Sequence, residues 1–339
     1  MAAAAPLLPL AVSLGDPAGV GPELFVHAWA QRGEAGLAPF FVAGGSQVLH
    51  EAAQGCGLPV PIIAISDPAE AIDAFAHGLP VLGAEGCGWH PGAPDADGAH
   101  LALDSLTRAA GLARDGVAGA IVTGPIAKSH LARIGFTQPG QTEFVADACG
   151  VAHSDAVMML AGPSLRTVPL TVHCPLADVP GLISRALIEN KARIVARALI
   201  RDFGISQPRI AIAGLNPHAG EDGRMGSEDR EVIAPAIAAL QAEGLAVTGP
   251  HPADALFAPH ARAGFDVALC MYHDQALIPI KALDFDEGVN VTLGLPIVRT
   301  SPDHGTAFAI AGKGLAHPGA TIAALRMAGA CAARRQGTV

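Results

Sequence analysis

Short apolar runs alternate along the chain with longer stretches rich in Ala, Leu and Arg. The short runs predict strands at residues 8–14, 40–43, 119–123, 167–173, 209–214 and 267–272. The longer stretches predict helices at 23–31, 99–114, 187–203, 229–242 and 320–334. In the third of these, Leu187, Ile194, Val195, Ala198 and Leu199 share one helical face. Strands alternating with helices read as an α/β protein with a mostly parallel core sheet. Residues 86–98 are turn-rich and predict a surface loop. A strand ends at Gly124–Pro125, and a Pro-rich stretch follows at 296–302. Two chain crossings there give a first domain of residues 1–128 plus 300–339, holding both termini, and a second of 129–299.

Composition narrows the class. Half of the 339 residues are hydrophobic and 15% are charged, which excludes a disordered chain. The 40 glycines follow no three-residue period, so this is no collagen. The net charge is −10, and the lysines are only Lys128, Lys191, Lys281 and Lys313. Nucleic-acid binding needs a dense basic face, which such a chain lacks. The six cysteines form no C-x-x-C pair and read as free thiols. The apolar start has no basic residue before Arg32, so it reads as a first strand and not an export signal. No window approaches the ~20 apolar residues of a membrane helix. The expectation is a cytoplasmic protein with no membrane partner.

The first predicted strand leads into Gly15-Asp-Pro-Ala-Gly-Val-Gly-Pro22, not into G-x-G-x-x-G, and no G-x-x-x-x-G-K-[ST] occurs. Both common nucleotide motifs are therefore missing. Three of the 14 histidines stand apart by placement. His173, His218 and His273 each fall at or just past the C-terminal end of a predicted strand. In a parallel sheet those ends share one edge, where ligands bind. Three imidazoles there suit a catalytic divalent metal; zinc fits well, and Co, Ni, Mn or Fe fit the same ligands. The competing reading is three unrelated histidines. Lys281, Asn290 and Arg299 follow His273 and would suit an anionic substrate. Gln141-Thr142-Glu143 follows a Gly-rich turn and can head a helix, with Thr142 as cap.

Several segments then carry a likeness: SLGDPAGVGPE (13–23), VTGPIAK (122–128), GLNPHAGEDGRMGSED (214–229), GPHPAD (249–254), MYHDQALIPIK (271–281) and GLPIVRTSPDHGTAFAIAGKG (294–314). In this order they resemble the 4-hydroxythreonine-4-phosphate dehydrogenase (PdxA) family of pyridoxal 5′-phosphate biosynthesis. The resemblance implies a fold like that of isocitrate and isopropylmalate dehydrogenases, with two α/β domains flanking an active-site cleft and no classical Rossmann fingerprint. It implies a homodimer with a divalent metal (Zn, Mg or Co) shared between subunits, held by His173, His218 and His273. It also implies NAD or NADP as cofactor, and substrate contacts from Thr142, Lys281, Asn290 and Arg299. Where the family usually has His-Thr-Glu, this chain has Gln141-Thr142-Glu143; Gln141 can hold an anion only as a neutral donor.

The implied reaction oxidises 4-phosphooxy-L-threonine and decarboxylates the product to 3-amino-2-oxopropyl phosphate. Asp254, Asp274 and Lys281 are candidates for the proton transfer. Gly294 and His304 open and occupy a glycine-rich stretch suited to the nicotinamide cofactor. Gln141 keeps open a related dehydrogenase acting on another phosphorylated four-carbon acid or on a dihydrodiol dicarboxylate. A non-catalytic two-domain binding protein would need an export signal and no strand-end histidines.

Overall fold

The computed structural model describes residues 7–83 and 86–337. The expectation about the apolar start concerns in part residues 1–6, which lie outside the described residues. The first six strands are β1 (Leu10–Ser13), β2 (Phe40–Ala43), β3 (Ile62–Ile65), β4 (Leu79–Leu82), β5 (Ile121–Thr123) and β6 (Val157–Ala161). The next six are β7 (Arg166–Pro169), β8 (Arg209–Ala213), β9 (Ala246–His251), β10 (Val267–Cys270), β11 (Val289–Leu293) and β12 (Arg299–Pro302). The chain forms two compact units, residues 1–153 with 295–339, and residues 154–294. The borders expected from the sequence are 128 and 300. The helix Gln141–Ala148 therefore belongs to the first unit, since its neighbours include the helix Ala96–Arg114 of that unit.

In the first unit the strand order is β3-β4-β2-β1-β5-β12, with every pair parallel. Central strands β1, β2 and β5 are buried along their whole length, as expected of strands covered on both faces. The helix Ala96–Arg114 packs on β1 and β2, and the helix Gly319–Arg335 packs on β12. Asp95 caps the former by accepting from the Gly98 N–H at 2.7 Å. The glycine-rich loop at 86–98 is better anchored than a free surface loop. The Trp89 N–H donates to Glu51 at 2.7 Å, and the Gly92 N–H donates to the Ala18 carbonyl at 2.8 Å.

In the second unit the order is β11-β6-β7-β10-β8-β9. Strands β7, β10, β8 and β9 run parallel, while β6 is antiparallel to both β7 and β11. The sheet is thus mixed at one side. The helix Arg185–Phe203 starts two residues earlier than predicted, because the Ser184 hydroxyl accepts from the Leu187 N–H. It stops at Gly204, which turns left-handed at φ 70°. The predicted helix at 229–242 is interrupted: a π turn, Asp229–Ile233, precedes the α-helix Ala234–Ala242.

Most strand predictions run long at their ends. β7 stops at Pro169, four residues short of His173, and β10 stops at Cys270, three short of His273. Six strands had no predicted counterpart. β3 is only half buried, and β4, β9 and β12 contain proline, which breaks the usual strand signature. No helix among the described residues is long and apolar enough to cross a membrane.

Candidate active site

The three singled-out histidines follow three strands that neighbour one another, β7, β10 and β8, all parallel. Parallel neighbours end on one edge, so the shared edge follows from the pairing. His173 and His273 come together there, with ring centroids 6.0 Å apart. They line a cavity of about 280 Å³ with Thr171, Cys174, Leu176, Val179, Tyr272 and Asp274. His173 is itself left-handed, at φ 49°. The Thr171 hydroxyl donates to the Met271 carbonyl at 2.9 Å and ties the two strand ends together. His273 is the first residue of the helix His273–Leu283, and its Nδ1 lies 2.7 Å from an Asp274 oxygen. A carboxylate on Nδ1 fixes the ring and leaves Nε2 to face a ligand. His218 does not join this group: among the described residues no three His, Cys, Asp or Glu side chains gather as a metal site within one chain.

In the first unit the substrate candidates form a second group. Arg299 opens β12 and is 3% exposed. Its guanidinium donates to the hydroxyls of Thr123 at 2.9 Å and Thr142 at 3.3 Å, and to the Gln141 amide oxygen at 3.3 Å. Burial pushes its pKa down to about 10, partly offset by nearby Glu143, so the group stays charged at neutral pH. Gln141 has a second bond, from its amide nitrogen to the Gly124 carbonyl at 2.9 Å. The sequence reading gave Gln141 an anion; the structure commits one of its N–H groups to the end of β5. Thr142 does not cap its helix, which starts at Gln141 with Gly140 before it.

The remaining candidates are scattered along both units. Asn290 lies in β11, and its amide oxygen is buried without a partner among the described residues. An acceptor in that state suits a hydroxyl or ammonium donor. Lys281 sits in the last turn of the helix His273–Leu283, and Asp254 is exposed on a short helix, Ala253–Leu256. The His304 Nε2 is likewise buried and unpartnered, while its Nδ1 faces the Gly305 carbonyl. Gly294 stands at φ 85°, and a Cβ there would overlap the Asp155 carbonyl oxygen. Packing alone therefore requires glycine at 294. The sequence reading passed over Thr123, Asn216, Glu228 and Asp229. All four lie inside the segments that carry the family likeness, but only their contacts reveal what they do.

A family profile described as "Pyridoxal phosphate biosynthetic protein PdxA" matches residues 36–328. The chain belongs to the PdxA family. A curated relative from Erythrobacter litoralis (strain HTCC2594), named 4-hydroxythreonine-4-phosphate dehydrogenase, is 67% identical over 330 residues, covering 97% of this chain and 98% of its own. A crystal structure of 4-hydroxythreonine-4-phosphate dehydrogenase from Klebsiella pneumoniae matches this PdxA-family chain with a TM-score of 0.86 at 37% identity, covering 97% and 99% of the two chains. A terephthalate 1,2-cis-dihydrodiol dehydrogenase from Burkholderia xenovorans LB400 is more distant, with a TM-score of 0.62 at 29% identity, covering 97% and 98%.

One half-buried cation braces the histidine edge. Lys191 lies on the helix Arg185–Phe203 and donates to the Leu170 carbonyl at 2.9 Å, just before Thr171. Burial pushes its pKa from 10.5 down to about 8. The folded chain thus releases this proton near pH 8, while an unfolded chain keeps it to about 10.5. Between those values the unfolded state binds more protons, so stability rises with pH across that window. Replacing Lys191 by Met should flatten the rise. Urea unfolding of both proteins at several pH values from about 7.5 to 10.5 reads it, and equal slopes would reject the assignment.

Proposed function

We propose that the chain is a 4-hydroxythreonine-4-phosphate dehydrogenase, using NAD or NADP and a divalent metal. The observation that carries this is the 67% identity, end to end, with a relative of that name. The substrate, 4-phosphooxy-L-threonine, has a carboxylate, an amine, a secondary alcohol and a phosphate. Oxidation moves hydride from the carbinol carbon to the nicotinamide and releases the hydroxyl proton. The resulting β-keto acid loses CO₂ and gives 3-amino-2-oxopropyl phosphate.

The roles follow the chemistry of each side chain. Arg299 offers charge and a planar fork to a carboxylate or phosphate, with Thr142 and the remaining Gln141 N–H beside it. Lys281 adds a compact charge, and Asn290 an acceptor for the alcohol or amine. Asp254, Asp274 and Lys281 are the candidates to take the hydroxyl proton. The 2.7 Å contact to His273 engages one Asp274 oxygen and gives that residue a steering role as well. His304, with its unpartnered Nε2, is assigned to the cofactor. Gly294, which opens the same glycine-rich stretch of sequence, is assigned with it.

Imidazole donors suit a divalent transition metal, and His173 and His273, with ring centroids 6.0 Å apart, are near enough to contribute to one ion. When bound, such an ion supplies Lewis-acid chemistry: it acidifies an alcohol and stabilises negative charge on oxygen. One chain gathers two of the three histidines, so we assign His218 to the site of a second copy. Large apolar side chains on the segments that carry His173 and His273 support a dimer: Leu176 and Ile278 are each 66% exposed and Phe285 is 74% exposed.

A second reading stays open within the enzyme class. The likeness to a terephthalate dihydrodiol dehydrogenase, together with the neutral Gln141, favours a dihydrodiol dicarboxylate, and another phosphorylated four-carbon acid is chemically close. Initial rates with NAD+ and with NADP+ separate these. The highest kcat/KM is expected on 4-phosphooxy-L-threonine, and a preference for the dicarboxylate would reverse the reading. Replacing Arg299 by Ala should lower kcat/KM roughly 100-fold or more, with Lys restoring part of it, because Lys keeps the charge but loses the fork. Unchanged kinetics would remove Arg299 from the site.

The shared site has its own test. His218→Ala and His273→Ala chains should each be inactive as homodimers. Co-expressed, they form heterodimers in which one of two sites keeps a full ligand set. Activity should then return to about a quarter of wild type. A mixture that stays inactive, with heterodimers verified by differential tags, would place all three ligands in one chain.

A further inference from the structure

His218 heads an unusual piece of backbone. Five consecutive residues, His218 to Asp222, are left-handed, with φ of 54°, 52°, 79°, 41° and 57°. Only Gly220 among them is a glycine. Residues with a side chain ordinarily enter this region singly, because the Cβ crowds the following carbonyl oxygen. A run of five needs to be held from outside.

The hold comes from Asp229, which is 2% exposed. One of its oxygens accepts from the Leu215 N–H at 2.8 Å. The other accepts from the Asn216 N–H at 3.1 Å and from the Asn216 side-chain amide at 2.9 Å. Glu228 accepts from the same Asn216 amide at 2.8 Å. Glycines make room on both sides. A Cβ at Gly214 would stand 2.7 Å from one Asp229 oxygen, and a Cβ at Gly220 would stand 3.2 Å from the other. The carboxylate therefore grips the entry to the turn and presses against its middle. It reaches this place from the first residue of the π turn Asp229–Ile233, a widening of the helix that is common beside functional sites.

We propose that Asp229, seconded by Asn216 and Glu228, is a positioning residue that holds the left-handed turn and so aims His218 at the metal. This rests on the reading of His218 as a metal ligand. Outer groups that orient a ligand typically change metal affinity by 10–100-fold. Asp229→Asn keeps the size but turns one acceptor into a donor, which then faces either the Leu215 N–H or the two Asn216 N–H groups.

The experiment is cobalt(II) titration of the full-length protein, reading affinity and the visible d–d spectrum. Asp229→Asn should bind cobalt roughly 10–100-fold more weakly, with a spectrum shifted toward that of His218→Ala. Adding Ala219→Gly, which removes the Cβ crowding from one left-handed position, should recover part of the affinity. A purely structural role would lower the melting temperature without moving the spectrum. Should Asp229→Asn fail to fold, Glu228→Gln replaces it; this variant keeps an acceptor on Asn216 but removes the charge that strengthens the bond, and should lower affinity several-fold at an unchanged melting temperature. If His218→Ala weakens cobalt binding while the Asp229 or Glu228 variant binds as wild type does, the positioning role is overturned and the ligand reading survives. If His218→Ala itself binds cobalt normally, both fall.

Discussion

Parallel strand pairing is the constraint on which everything else hangs. A parallel strand cannot return by a tight turn, so each is followed by a long crossover that covers the sheet faces. The central strands are then buried on both sides and must be apolar, as β1, β5, β8 and β10 are over most or all of their length. Polar chemistry is driven to the strand ends. In the second unit β7, β10 and β8 are adjacent and point the same way, so the segments that follow them leave one edge. Three histidines at those exits are what an edge of this kind can use.

Desolvated positive charge is handled in two ways in this acidic chain. Arg299 and Lys191 are both pushed down by burial, to about 10 and about 8. The guanidinium starts higher and spreads its charge over several N–H groups, so it stays ionised while bonding to Thr123, Thr142 and Gln141. The ammonium is a compact charge that leans on two backbone carbonyls, Pro169 and Leu170. It is poised near the edge of ionisation. The first arrangement suits a permanent anchor for an anion, and the second suits a structural brace.

What was legible in the sequence follows from the same constraint. Apolar runs such as 209–214 and 267–272 are visible because a doubly covered strand has little choice of residue. The polar residue just past such a run marks the edge, which is how His173, His218 and His273 stood out among 14. The overlong strand ends have a physical cause too, since apolar character continues after hydrogen bonding stops. Val172 shows this: it continues the apolar run beyond β7 but is exposed. β3, β4, β9 and β12 were not legible, because each is either half exposed or carries proline. Asp229 was illegible for a different reason. In the sequence it is one acid in a polar motif; its work is done through bonds to Leu215 and Asn216, 14 and 13 residues away.

Gln141 shows how a departure from a family pattern is resolved by geometry. Read alone, an uncharged amide in place of histidine weakens the case for an anionic substrate. In the fold, the side chain makes two bonds: it donates to the Gly124 carbonyl and accepts from Arg299. A neutral imidazole, with one N–H and one bare nitrogen, offers the same pair in kind. Protonation would turn its acceptor into a donor and set a positive charge against the Arg299 guanidinium. Histidine in this place must therefore act as the neutral ring if it is to brace the arginine. Glutamine gives that neutral form at every pH and keeps a second N–H for a ligand. The exchange preserves the support of Arg299, so the charge proposed to hold an anion is left in place, and the 67% identity with a relative named for a phosphorylated substrate outweighs the single altered residue.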